Sequence, residues 1–146
     1  MKIAIACDHG GYLLKQDILI WLEENDIDYE DFGCYSTESV DYPVFAERAA
    51  RAVAAGECDK GIVICTTGIG VSIAANKVKG IRCALLSDLL SADLTRLHND
   101  TNMMALGAGV VGPNLALEIV DVWVDTAFSG EERHQRRIDK VMALEK

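Results

Sequence analysis

The stretch "GIVICTTGIGVSIAANK", residues 61–77, decides how the chain is read. An apolar run, Ile62-Val63-Ile64, ends in Cys65. Two threonines and the glycines Gly68 and Gly70 follow, and helix-like sequence then begins. Lys60–Cys65 reads as a strand buried on both faces, and residues 70–77 open a helix. A buried strand that stops at a Gly-rich turn and feeds a helix is the repeating unit of a parallel α/β sheet.

The same alternation extends in both directions. Upstream, "KIAIAC" (Lys2–Cys7) is a short buried strand, and Leu14, Ile18, Trp21 and Leu22 recur at helical spacing through about Asn25. Residues 28–33 ("DYEDFG") form a weak strand ending in Gly33; Pro43 suits a helix start, and the Ala-rich segment to Ala55 is helical. Downstream, Arg82–Leu86 is a strand, and Leu89, Leu90, Asp93, Leu94 and Leu97 predict a helix ending near His98. Met103–Leu106 is a fifth strand. A long helix follows Pro113, Gly130 breaks the chain, and a last helix runs from about 131 to the C-terminus. The expected fold is α/β: a three-layer α/β/α, Rossmann-like sandwich around a five-stranded parallel sheet.

Composition narrows the function classes. The 146 residues fit one domain, and a half-hydrophobic composition supplies a core. No segment approaches the roughly 18 consecutive apolar residues of a membrane span. The N-terminal apolar run is too short for a secretory signal and is interrupted by Asp8 and His9, so a cytoplasmic protein without membrane contact is expected. A net charge of -9 argues against nucleic-acid binding. Five cysteines, an odd count without C-x-x-C spacing, argue against a disulfide framework or a zinc site and for reduced, buried thiols. Against the acidic background, "RHQRR" (133–137) is a local reversal of charge.

In open parallel sheets, ligands bind beyond the carboxyl ends of the strands. Asp8 and His9 follow the first strand there, Cys65 to Gly70 the third, and Asp88 the fourth. Gly68 and Gly70 permit backbone angles closed to other residues, so amides of the turn and first helical turn can converge on one anion. That anion is either a phosphate or an oxyanion formed during reaction. The same field favours the thiolate of Cys65, which makes it a candidate base or nucleophile. The competing reading is a small buried residue in a tight turn. A dinucleotide-binding turn fits less well: "GIGVSI" carries Ile73 where a small third residue is needed, although Asp88 is suitably spaced for a ribose. Asp8 can orient an imidazole or accept a sugar hydroxyl. His9 is a turn residue or a ligand. His98, in "RLHNDTN", is either a helix C-terminal charge or a proton-transfer group. Arg133 and Arg137, four apart, share a helix face that is either solvated or grips a phosphate.

Taken together, "CDHGG", "VDYP", "GIVICTTGIGVSIAANK", "RLHNDTN" and "RHQRR", in that order and across essentially the whole chain, resemble the type B ribose-5-phosphate isomerases and the related galactose-6-phosphate isomerase subunits. The resemblance implies an aldose–ketose isomerase that acts on a sugar phosphate without metal or cofactor. It implies a homodimer or homotetramer whose active sites are shared between subunits. By residue, Cys65 matches the base that moves a proton between C1 and C2. Thr67 and the amides of Gly68, Gly70, Val71 and Ser72 match the surroundings of the enediolate oxygens. His98 matches the ring-opening acid/base, with Asp8 nearby, and Asn99 matches a substrate contact. Tyr42 lines the pocket, and His9, Arg133 and Arg137 match the phosphate grip. His98 and Asn99 are expected to come from a neighbouring subunit. Two positions depart from the family pattern: Thr66 replaces a glycine, and Gly109 stands where many members carry an arginine that helps hold the phosphate.

Overall fold

The computed structural model describes residues 1–145. The strands are β1 (Lys2–Cys7), β2 (Asp28–Asp31), β3 (Lys60–Cys65), β4 (Cys83–Leu85) and β5 (Met103–Gly107). The helices are α1 (Tyr12–Glu24), α2 (Tyr42–Ala54), α3 (Ile69–Asn76), α4 (Leu89–Asn99), α5 (Pro113–Asp125) and α6 (Glu132–Met142), with a 3-10 turn at His9–Gly11 ahead of α1. The strands form one parallel sheet in the order β2-β1-β3-β5-β4. The expected five-stranded α/β sandwich is therefore the observed one.

Strand periodicity sorts the core into two layers. Ile3, Ile5, Ile62, Ile64, Met104 and Leu106 meet Leu14, Ile18 and Leu22 of α1 and Ile119, Val120 and Trp123 of α5. Ala4, Ala6, Val63, Cys65, Met103 and Ala105 meet Ala46, Ala49, Ala50 and Val53 of α2 and Val71 and Ala75 of α3. The isoleucine–alanine alternation of β1 thus assigns large side chains to one face and alanine to the face where an alanine-rich helix packs. Helix α4 packs beside α5, and α6 lies on α4.

Several boundaries shift for local reasons. Beyond Asp31 the regular strand stops, yet the chain stays bonded to β1: Phe32 N donates to Ile5 O (2.9 Å), Cys7 N to Gly33 O (2.7 Å) and Cys34 N to Cys7 O (2.8 Å), with Gly33 at φ +96°. Asp8 caps the turn before α1, its Oδ1 accepting from the amides of Gly10 (2.9 Å) and Gly11 (3.2 Å). Helix α6 ends at Met142 rather than continuing to the C-terminus, and Lys146 lies outside the described residues. All five cysteines are free; four are buried and Cys83 is half-buried. Among the described residues, no helix is long and apolar enough to cross a membrane.

Two lysines inside the fold escaped the periodicity argument. Lys15 is fully buried on the core face of α1, where Nζ donates to Asp31 Oδ1 (2.7 Å) and Cys34 O (2.5 Å). A buried charge so paired ties α1 to the end of β2, and removing its partner would strand it. Lys60 begins β3 with Nζ 5.1 Å from the ring centroid of Trp123. Burial, and then the Arg96 charge, push its ammonium down to about 8. Above pH 8 the folded protein releases this proton while the unfolded chain, near the ordinary lysine value, keeps it. The unfolded state then binds more protons, so stability rises with pH in that window. Wild type is expected to gain stability relative to Lys60→Met between pH 8 and 10, as read by urea denaturation at each pH. Parallel pH profiles would refute this.

Candidate active site

In this strand order the chain leaves β1 toward β2 on one side and reaches β3 on the other. The carboxyl ends of β1 and β3 therefore flank the topological switch point where α/β sheets bind ligands. Cys65 is the last residue of β3 and is 5% exposed. Gly68, in the left-handed region at φ +76°, folds its amide back so that N–H donates to Cys65 Sγ at 3.1 Å. Burial pushes the thiols of Cys7 and Cys83 up to about 12 and that of Cys58 upward, so these three stay protonated near neutrality.

The amides expected to form one cradle divide their tasks. That of Gly68 is spent on the sulfur, Ile69 N donates to Thr67 Oγ1 (3.2 Å), and Ser72 N donates to Gly68 O (3.1 Å). Ser72 Oγ donates to Ile69 O (2.7 Å). Gly70 and Val71, second and third in α3, have no intrahelical acceptor, so their N–H groups are the free donors beside Cys65. Tyr42, first in α2, covers this point: a methyl added at Gly70 would fall 2.6 Å from its ring.

Across the crevice, the Asp8 cap uses Oδ1. His9 accepts Val40 N–H on Nδ1 (3.1 Å), which leaves Nε2 as its N–H donor. Asp88 serves as the N-cap of α4, accepting from Ser91 N at 2.7 Å, and so accounts for itself without a ribose.

Thr66 lies between the two turns. Among the described residues, positive φ outside glycine occurs only at Asp26 and Asp100, so the backbone at Thr66 needs no glycine. Its side chain fills a notch between two bare glycines. A methyl at Gly10 would overlap Thr66 Oγ1, and one at Gly109 would lie 3.1 Å from both Thr66 Cγ2 and Thr66 O. The two departures from the family pattern are therefore spatial neighbours.

The other expected site residues stand elsewhere. Helix α4 crosses from the carboxyl end of β4 to the amino end of β5, so its last turn, with His98 and Asn99, lies at the opposite end of the sheet from Cys65. An 11-residue helix spans roughly 16 Å. Arg82, ahead of β4, confirms the level by donating through Nε to Asn99 O (3.0 Å). Asn99 Oδ1 accepts from Thr95 Oγ1 (3.1 Å). Helix α6 adds Arg137, exposed, and Arg133, whose Nε donates to Glu131 Oε2 (2.8 Å). A cavity of about 600 Å³ between α4, α6 and β4 is lined by His98, Asn99, His134 and Arg137. His134 was not singled out in the sequence; it is buried and stacks on His98. The expected residues thus form two groups at opposite ends of one chain, and His9 and the two arginines do not meet within it. Among the described residues, no cluster of three or more His, Cys, Asp or Glu could hold a metal ion.

A doubly wound sheet with a thiol and free amides at its switch point defines the class, and the sequence places it. Residues 3–141 match the family described as Ribose/Galactose Isomerase, and the chain belongs to that family of isomerases. It is 49% identical to the ribose-5-phosphate isomerase B of Escherichia coli over 99% of this chain and 96% of that protein. The solved ribose-5-phosphate isomerase B of Clostridium thermocellum superposes with a TM-score of 0.97 at 52% identity, covering 99% of this chain and 97% of that one. The Mycoplasma genitalium ribose-5-phosphate isomerase B, solved with bound ribulose 5-phosphate, gives 0.94 at 40% identity, covering 99% and 95%.

Proposed function

We propose that this chain interconverts ribose 5-phosphate and ribulose 5-phosphate through a cis-enediolate, with Cys65 as the base. The supporting observation is the pairing at the end of β3: a sulfur held by the Gly68 amide, beside the unspent amides of Gly70 and Val71. Removing a proton next to a carbonyl builds negative charge on oxygen, and preorganised donors there lower the barrier. One base on one face of the enediolate takes the proton from C2 and returns it to C1, so no cofactor enters. Thr67 lies at the same turn, and Tyr42 closes the pocket over Gly70. Asp8 offers Oδ2 to a sugar hydroxyl, and His9 offers Nε2–H to the phosphate.

The remaining roles need a second copy. His98 opens the furanose as acid/base, Asn99 contacts the sugar, and Arg133 and Arg137 grip the phosphate, all reaching the crevice of the neighbouring subunit. Arg133 leaves Glu131 to do so. The docking face is apolar: Ile69, Ile73, Leu85, Leu89 and Leu90, at least 40% exposed, gather around the β4 edge beside the Gly-rich turn. A homodimer completes two such sites, and a homotetramer repeats them.

The test is a panel of aldose and ketose phosphates followed by proton NMR, with ribose 5-phosphate expected to turn over fastest. A six-carbon sugar phosphate used preferentially would move the substrate within the same chemistry. Stabilisation by a nucleotide, with no sugar phosphate turned over, would replace the enzyme by a binding module.

The Thr66–Gly109 notch carries a second expectation. An arginine at 109 must displace the Thr66 methyl, so Gly109→Arg alone is expected to weaken the use of ribose 5-phosphate. Thr66→Gly with Gly109→Arg is expected to recover or exceed wild-type kcat/KM. The coupling expected for contacting residues is about 0.5–3 kcal/mol. Additive effects in the double-mutant cycle would separate the two positions.

A further inference from the structure

We propose that His134 is a positioning residue for ring opening: its ring, buried on the inward face of α6, fixes the plane of the His98 imidazole. The inference rests on the reading of His98 as the ring-opening acid/base.

The two rings stack with centroids 4.3 Å apart and planes 17° from parallel. They differ in exposure. His98 is half-buried in the last turn of α4, and both rings line the cavity. His134 is 6% exposed, and Ile138, one turn on, is buried with it. Helix α6 thus turns its buried face onto α4 and carries Arg133 and Arg137 together on the exposed face next to it. A buried ring stacked on a half-buried one holds the second near planes parallel to the first.

Charge supports the same division of labour. Burial, the His98 charge, Arg133 and Arg137 push the His134 imidazole down, against Glu131, whose Oε2 lies 3.7 Å from Nε2. From β4 and its approach, Arg82 and Cys83 line the same cavity. A neutral His134 tolerates an imidazole or an imidazolium stacked on it, so His98 can gain and lose a proton without its neighbour competing. "RHQRR" is then two devices on one helix: arginines for the anion and a histidine that holds another histidine still.

The test separates ring opening from proton transfer. Ribulose 5-phosphate has no furanose form, because the hydroxyl that would close the ring carries the phosphate. Exchange of its C1 hydrogen with D2O therefore needs Cys65 but no ring opening. His134→Ala is expected to slow net isomerisation of cyclic ribose 5-phosphate by about 10–100-fold, the scale of a misplaced catalytic group. C1 exchange should stay near wild type, which also reports an intact fold. His134→Phe, which keeps a flat ring without a titrating nitrogen, should restore most of the net rate. Equal loss of both rates in His134→Ala would make His134 a support of the whole fold and overturn the proposal. So would a His134→Phe as slow as His134→Ala. His98→Ala is the control. If it slows net isomerisation and His134→Ala does not, the proposal fails while the reading of His98 stands. If His98→Ala has no effect, that reading fails and the positioning role falls with it.

Discussion

Cys65→Ala is expected to lose net turnover of ribose 5-phosphate by roughly 10³-fold, the contribution of one acid–base group in a transition state. Binding should survive, because in the proposed mechanism the sulfur acts on carbon while His9 and the arginines hold the phosphate. A substrate-induced rise in melting temperature would show retained binding. Cys65→Ser should rescue little: a hydroxyl can accept the Gly68 amide now given to sulfur, but it is a far poorer base than a thiolate. Activity near wild type in a folded Cys65→Ala protein would remove Cys65 from the chemistry. The thiols of Cys7 and Cys83, held near 12, could not take its place.

Mixing two dead proteins is expected to restore activity. If Cys65 of one copy works with His98 of another, a Cys65→Ala chain paired with a His98→Ala chain has one site with both defects and one with neither. Each homodimer has only damaged sites. Isologous dimers refolded together assort about 1:2:1, so the mixture should reach roughly a quarter of wild-type activity. The assay starts from cyclic sugar, so that loss of ring opening is visible, and each variant refolded alone is the control. Mixed dimers identified by native mass spectrometry but without activity would put the two residues to work in one chain's site, or dismiss His98. The geometry argues against the first outcome, since α4 carries His98 to the far end of the sheet.

That separation was recoverable from the sequence by a rule about direction. A crossover helix runs against the strands, so a residue in its last turn lies at their amino ends. "RLHNDTN" closes a helix and just precedes β5, which places His98 away from the carboxyl-end crevice. Periodicity reports which face a residue takes and is silent about which end. The β3 strand was legible to the residue because its apolar run is bounded by Lys60 and by the Gly-rich turn. The polar edge strand β2 was not, because one exposed face leaves little apolar signal. Lys15 and His134 were passed over for one reason: each is a polar residue at a core position. Lys15 stands three before Ile18 and seven before Leu22, and His134 four before Ile138; that spacing marks both as inward-facing. That the Gly68 amide turns onto the sulfur while those of Gly70 and Val71 stay free depends on the left-handed turn at Gly68, which composition foreshadows and does not resolve.

The strand order also governs how the chain can be made. Strand β5 lies between β3 and β4, and β4 pairs with β5 alone. A nascent chain emerges from its N-terminus, so β1, β2 and β3 can assemble first. When β4 appears it has no strand to join, and β3 keeps an open edge until Met103–Gly107 slots between them. Such edges recruit foreign strands. A ribosome that pauses between Leu85 and Met103 therefore exposes a half-built sheet with two orphaned borders, and this is the interval in which the growing chain most needs shielding.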